Sequence, residues 1–107
     1  MKFILFVIDS TTGSATGNEI EEIDSFNDYL KENNHWVMAA GIGAPETATL
    51  VDNRNEKGES AAGSLIDSPD FYSGFWIVEA ESDSEAKQLA FAGSLACNRR
   101  VEIRPFL

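Results

Sequence analysis

One pattern occurs twice in this chain: an apolar strand, a helix opened by a capping signal, then a second strand. The first copy runs from Lys2-Phe-Ile-Leu-Phe-Val-Ile8, through Thr16-Gly-Asn-Glu19 and an amphipathic segment, to His35-Trp-Val-Met-Ala-Ala40. The second runs from Gly74-Phe-Trp-Ile-Val-Glu79, through Ser82-Asp-Ser-Glu85, to Arg99-Arg-Val-Glu-Ile-Arg104. A Ser or Thr hydroxyl that accepts from the amide three residues on, answered by a Glu at that position, satisfies two otherwise orphaned donors and starts a helix. Two such units predict an α+β fold of the ferredoxin-like, split βαβ kind, with an antiparallel sheet and two helices on one face. A chain of 107 residues is expected to form one domain over 1–107.

Helical spacing places Ile20, Ile23, Phe26 or Asn27, and Leu30 on one stripe of the first helix, against Glu21, Glu22, Asp24, Asp28 and Lys31. Asn33-Asn34 ends it. The second helix carries Ala86, Leu89, Ala90, Gly93 and Ala96 or Cys97 on one stripe, small residues that allow close approach to the sheet. Between the two units, Gly41-Ile-Gly-Ala-Pro45 reads as a turn and Thr47–Val51 as a short strand. Asp52–Gly58 then reads as a hairpin tip, and Glu59 through Tyr72 as a partly irregular return.

Strand alternation sets Phe3, Leu5 and Val7 against Ile4, Phe6 and Ile8, and Trp76 and Val78 against Phe75 and Ile77. Both faces of the sheet are therefore apolar. Right-handed crossovers put both helices on the same face, leaving the other uncovered. Each aromatic side chain buries about 150–250 Å², and an exposed patch of several exceeds what a soluble monomer carries. A second copy packed sheet to sheet resolves this, so the expected assembly is a homodimer in the form of a dimeric α/β barrel.

A formal net charge of −10 disfavours nucleic acid and anionic lipid as partners, since both need basic patches. The apolar run Phe3–Ile8 is too short for a membrane span or signal-peptide core, and a cytoplasmic location is expected. Cys97, the single cysteine, has no intrachain disulfide partner.

Gly41-Ile-Gly-Ala-Pro45 after Trp36-Val-Met-Ala-Ala40, then Gly74-Phe-Trp-Ile-Val-Glu-Ala80, then Ala96-Cys-Asn-Arg-Arg-Val-Glu-Ile-Arg-Pro-Phe106 together resemble the YCII-related proteins, specifically the DGPF-domain branch. The resemblance covers essentially the whole chain and implies a dimeric α/β barrel of ferredoxin-like protomers. Two departures stand out. The tetrapeptide Asp-Gly-Pro-Phe is replaced by Ala62-Gly-Ser-Leu65, and the first helix lacks, near Ile23 and Asp24, the histidine that some relatives pair with an aspartate.

The catalytic candidates are Asp9 and His35. Asp9 ends the first strand before a hydroxyl-rich loop, where a carboxylate serves as a base or closes an Asx turn. His35 is the only imidazole; it is either a general acid or base, or a hydrogen-bonded residue at a strand boundary. As Asp9 ends its strand and His35 begins one, the two are expected at opposite ends of the sheet. Cys97, at a helix C-terminus, reads as an inert buried thiol.

Trp36, Met38 and Trp76 are candidate walls of an apolar ligand pocket, or simply core. Arg100 is a candidate anchor for a ligand carboxylate, alternating with Val101 and Ile103 on a strand whose charges also suit edge protection. No spacing of His, Cys or carboxylates suits a metal, and no phosphate loop or activated nucleophile is visible, so neither metal nor cofactor is expected. Two functions fit. One is a homodimeric barrel that binds a small organic ligand, with metal-independent acid/base chemistry at Asp9; the other is a non-catalytic structural or regulatory dimer that binds another protein.

Overall fold

The computed structural model describes residues 1–11 and 17–107. Its strands and helices follow the order β1 (Lys2–Ser10), α1 (Glu19–Glu32), β2 (Trp36–Gly41), β3 (Thr49–Asp52), β4 (Glu59–Ala62), β5 (Asp70–Glu79), α2 (Asp83–Cys97) and β6 (Arg100–Pro105). The main sheet has the order β2-β5-β1-β6 with every neighbouring pair antiparallel, which is the ferredoxin-like arrangement. β3 and β4 form a separate hairpin, with β4 exposed throughout.

The core lies between one face of the sheet and the two helices. Phe3, Leu5, Trp76 and Val78 from the strands meet Phe26 and Leu30 from α1, and Ala86, Leu89, Ala90 and Cys97 from α2. Every residue of the small stripe on α2 is buried. On the opposite face, Ile4, Phe6, Ile8, Phe75 and Ile77 are half-buried, with no helix over them.

The second helix start carries the expected Ser82 cap, the Glu85 amide donating to Ser82 Oγ at 3.1 Å, while Glu85 Oε1 accepts at 3.0 Å from the Glu81 amide, one residue before the cap, rather than from that of Ser82. The first differs. α1 begins at Glu19 with Asn18 at the cap position, making Glu19 the first helical residue rather than the third. Glu19 Oε2 accepts from the Gly17 amide at 2.8 Å, and Thr16 lies outside the described residues. Ile20 is also not a core residue. It is 77% exposed, because a helix starting at Glu19 has no sheet beneath its first turn; the buried stripe begins further on, at Phe26.

Both helices end in the same way. Asn34 at φ 62° and Asn98 at φ 51° adopt the left-handed conformation that closes a helix, and Asn pays less for it than most residues. The next amide in each case, from His35 or Arg99, donates back to a carbonyl of the last turn, Leu30 at 2.8 Å or Ser94 at 3.4 Å. The two repeats thus deliver a chemically capable side chain at equivalent points. His35 and Arg99 follow the helices into β2 and β6.

Candidate functional site

A cavity of about 430 Å³ opens on the helix-covered side of the sheet, where β1 ends and β2 turns away at Gly41. Asp9, Asn27, Trp76, Cys97 and Arg99 line it, with Val7 and Ile23 as apolar wall. Strand alternation explains how Asp9 reaches it. Residues 3, 5, 7 and 9 of β1 share the helix face, and the register pairing Ile8 with Arg100, continued by one residue, brings Arg99 opposite Asp9.

Asp9 Oδ2 lies 3.1 Å from Arg99 Nε, and Asp9 Oδ1 accepts from the Ser10 amide at 2.8 Å. Both side chains are largely enclosed, at 22% and 17% exposure. The Arg99 Nε atom is fully enclosed and lacks an aligned hydrogen-bond acceptor, so its attraction to Asp9 is that of an ion pair by distance rather than a well-aimed hydrogen bond. Arg99 Nη1 donates to the Cys97 carbonyl at 2.9 Å, and the Arg99 carbonyl accepts from Ser94 Oγ. These bonds tether the guanidinium to the end of α2.

Trp76 Nε1 donates to Asn27 Oδ1 at 2.7 Å, and its indole meets Phe26 edge to face at 5.1 Å. A buried indole N–H needs such an acceptor. Accepting with its oxygen orients the Asn27 amide and leaves its Nδ2 donors without a partner among the described residues. Cys97 is 2% exposed, and burial raises its pKa, which suits an inert thiol on the cavity wall.

The other candidates lie elsewhere. His35 sits at the opposite end of the sheet, where its Nδ1 donates to the Glu79 carbonyl at 2.8 Å, and Glu85 Oε1 is 3.9 Å away. The carbonyl partner requires the hydrogen on Nδ1, and the ring links the start of β2 to the end of β5. Trp36 packs at the core's edge beneath the Lys31 ammonium, 4.6 Å from the ring centroid. Met38 pairs with Ile77 and is 44% exposed on the uncovered sheet face.

Arg100 points to the face opposite Asp9, and its Nη2 donates to Asp70 Oδ1 at 2.6 Å. Trp76 alone of the four ligand-binding candidates lines the Asp9 cavity. Sequence reasoning passed over Arg99 and Asn27. The signal for Arg99 was present: it shares its parity with Val101 and Ile103, the helix-facing residues of β6.

No family model matches the chain, and no curated protein matches it. Among solved structures it is similar to 5-chloro-2-hydroxyhydroquinone dehydrochlorinase (TftG) from Burkholderia phenoliruptrix AC1100, in complex with 2,5-dihydroxybenzoquinone. The identity is 18% over 100% of this chain and 94% of that chain, with a TM-score of 0.48. A likeness at this level transfers neither substrate nor residue roles. Among the described residues, no three of His, Cys, Asp and Glu converge as metal ligands, and no helix is long and apolar enough to cross a membrane.

Proposed function

We propose that the cavity at Asp9 binds a small organic acid or carbonyl compound and transfers a proton on it, with Asp9 as the general base. The observation that carries this reading is the Asp9–Arg99 ion pair on the wall of a ligand-sized cavity that also holds Asn27, whose Nδ2 has no partner among the described residues. In the step this supports, a proton α to the substrate carbonyl passes to Asp9, and the electron pair moves onto the carbonyl oxygen. The Arg99 guanidinium and Asn27 Nδ2 oppose the developing negative charge. Returning the proton to a different atom completes a tautomerisation with no co-reactant. Arg99 thereby takes the anion-orienting part that strand alternation suggested for Arg100.

The same reading takes the chain as a single-domain cytoplasmic member of the YCII-related proteins, in the DGPF-domain branch, acting as a homodimer. The apolar uncovered sheet face supports the dimer, and the motif likeness around Gly41–Pro45 and Ala96–Phe106 supports the family.

A screen over small lactones, enols and keto acids tests the mechanism. Activity should persist in EDTA and fall about 10²-fold or more in Asp9→Asn, the usual scale for a lost general base. Circular dichroism of the variant confirms that it folds. Activity abolished by EDTA, or unchanged in a folded Asp9→Asn protein, discards the mechanism.

A further inference from the structure

A second cavity, of about 560 Å³, lies where the segment from Ile42 to Asp70 meets the uncovered face of the sheet. It shares no lining residue with the Asp9 cavity. Ile8, Ile42, Pro45, Ala48 and Ile66 supply an aliphatic wall, Tyr72 and Glu102 supply the polar end, and Asp70 lines the cavity apart from them, opposite Ser10 where Glu102 is opposite Phe6.

The polar end is held in one arrangement. Tyr72 stacks on Phe6 with ring centroids 4.3 Å apart, and its hydroxyl donates to Glu102 Oε2 at 2.7 Å. Arg104 donates from Nε to the same Oε2 and from Nη2 to the Tyr72 hydroxyl, each at 2.8 Å, with its guanidinium over the Phe6 ring. Every bond to the Glu102 carboxylate therefore falls on Oε2. Oε1 has no partner among the described residues. Asp70 is similar, with Oδ1 taken by Arg100 and Oδ2 open.

We propose that this cavity is a binding site for a small aromatic amine, its ring among the aliphatic side chains and its ammonium hydrogen-bonded to Glu102 Oε1. The volume falls within the range of small-molecule sites. Among the described residues the charged side chains of the lining are these two carboxylates, each paired with an arginine on one oxygen, so a cationic donor gains a charge-assisted hydrogen bond at Glu102 Oε1 where a carboxylate ligand meets acceptors and no charged donor. Arg104 pins Glu102 Oε2 and leaves Oε1 for the ligand.

Tyramine and 4-hydroxyphenylacetate share a ring and differ in the charge of the head group, so NMR titration with each tests the proposal. Tyramine should shift the resonances of Ile42, Ala48 and Ile66, while 4-hydroxyphenylacetate leaves them in place. Glu102→Gln should weaken tyramine about tenfold or more, the scale of one charge-assisted hydrogen bond. Ala44 is exposed and extended, so Ala44→Trp fills the cavity without touching the core, and it should abolish the shifts. Absence of tyramine shifts at millimolar concentration overturns the proposal. So do equal shifts from the carboxylate, or shifts confined to Asp9, Asn27 and Trp76.

Discussion

Arg99 stands opposite Asp9 where β6 begins and β1 ends, its Nε 3.1 Å from the carboxylate Oδ2. The pair joins the two central features of the fold. β1 is flanked by β5 and β6, and Arg99 is also where α2 hands over to the sheet. A charge enclosed at such a junction is tolerated because the opposite charge arrives with it.

Removing one partner should therefore be costly. Arg99→Ala leaves a largely enclosed carboxylate unpaired and should destabilise the protein by about 2 kcal/mol, less than a fully buried pair because both groups keep some solvent. Urea denaturation measures it. A change below about 0.5 kcal/mol, the level of an ordinary surface substitution, shows that the pair is not a structural link.

The uncovered sheet face gives the second prediction. Light scattering coupled to size exclusion should return about twice the 11.7 kDa chain mass. Phe6→Asp should shift the protein toward monomer, since it replaces an aromatic contact of this face with a carboxylate that must be desolvated on association, a cost the neighbouring Arg104 offsets only in part. A monomer at micromolar concentration for the unaltered protein removes the barrel assembly.

Gly93 is fixed by packing rather than by backbone conformation. A Cβ there would lie 3.2 Å from Phe26 Cε2 and 3.3 Å from Trp76 Cζ3, and Trp76 is held by its bond to Asn27. Gly93→Val should cost about 1–3 kcal/mol by overpacking, despite relieving helical glycine. Thermal or urea unfolding reads the change, and a stabilised Gly93→Val protein contradicts the tight contact of α2 with the sheet.

The hairpin tip sets a pH prediction. Hydrogen bonds from the Arg54 side chain, then its amide, hold the Asp52 pKa down at about 2, below the ordinary 3.8. A depressed carboxylate pKa contributes stability that is present above 3.8 and lost as the pH falls through about 2. An NMR titration should find the Asp52 midpoint near 2, rising toward 3.8 in Arg54→Gln. A midpoint near 3.8 in the unaltered protein rules out the persistent Asp52–Arg54 contact.

By itself the sequence determined the two strand-helix-strand units, the face of each strand turned to the helices, the small-residue stripe of α2 and the Ser82 cap. Those follow from local periodicity and capping, which act over a few residues and are written directly in the order of side chains. Parity also held the Asp9–Arg99 pair, because residues 99, 101 and 103 alternate in step with 3, 5, 7 and 9 once β1 and β6 are antiparallel. Which arginine faces Asp9 nevertheless needed the register, a relation between strands roughly ninety residues apart.

Only the tertiary structure decided where Tyr72 points. An extra residue at Ser73 shifts the register so that Tyr72, not Ser73, stands opposite Ile8 on the uncovered face. Nothing in local alternation announces that bulge. The dispersal of Trp36, Met38, Trp76 and Arg100 has the same origin: residue type marks a side chain as capable of lining a pocket, but strand pairing and the crossing of the helices fix which of them share a cavity.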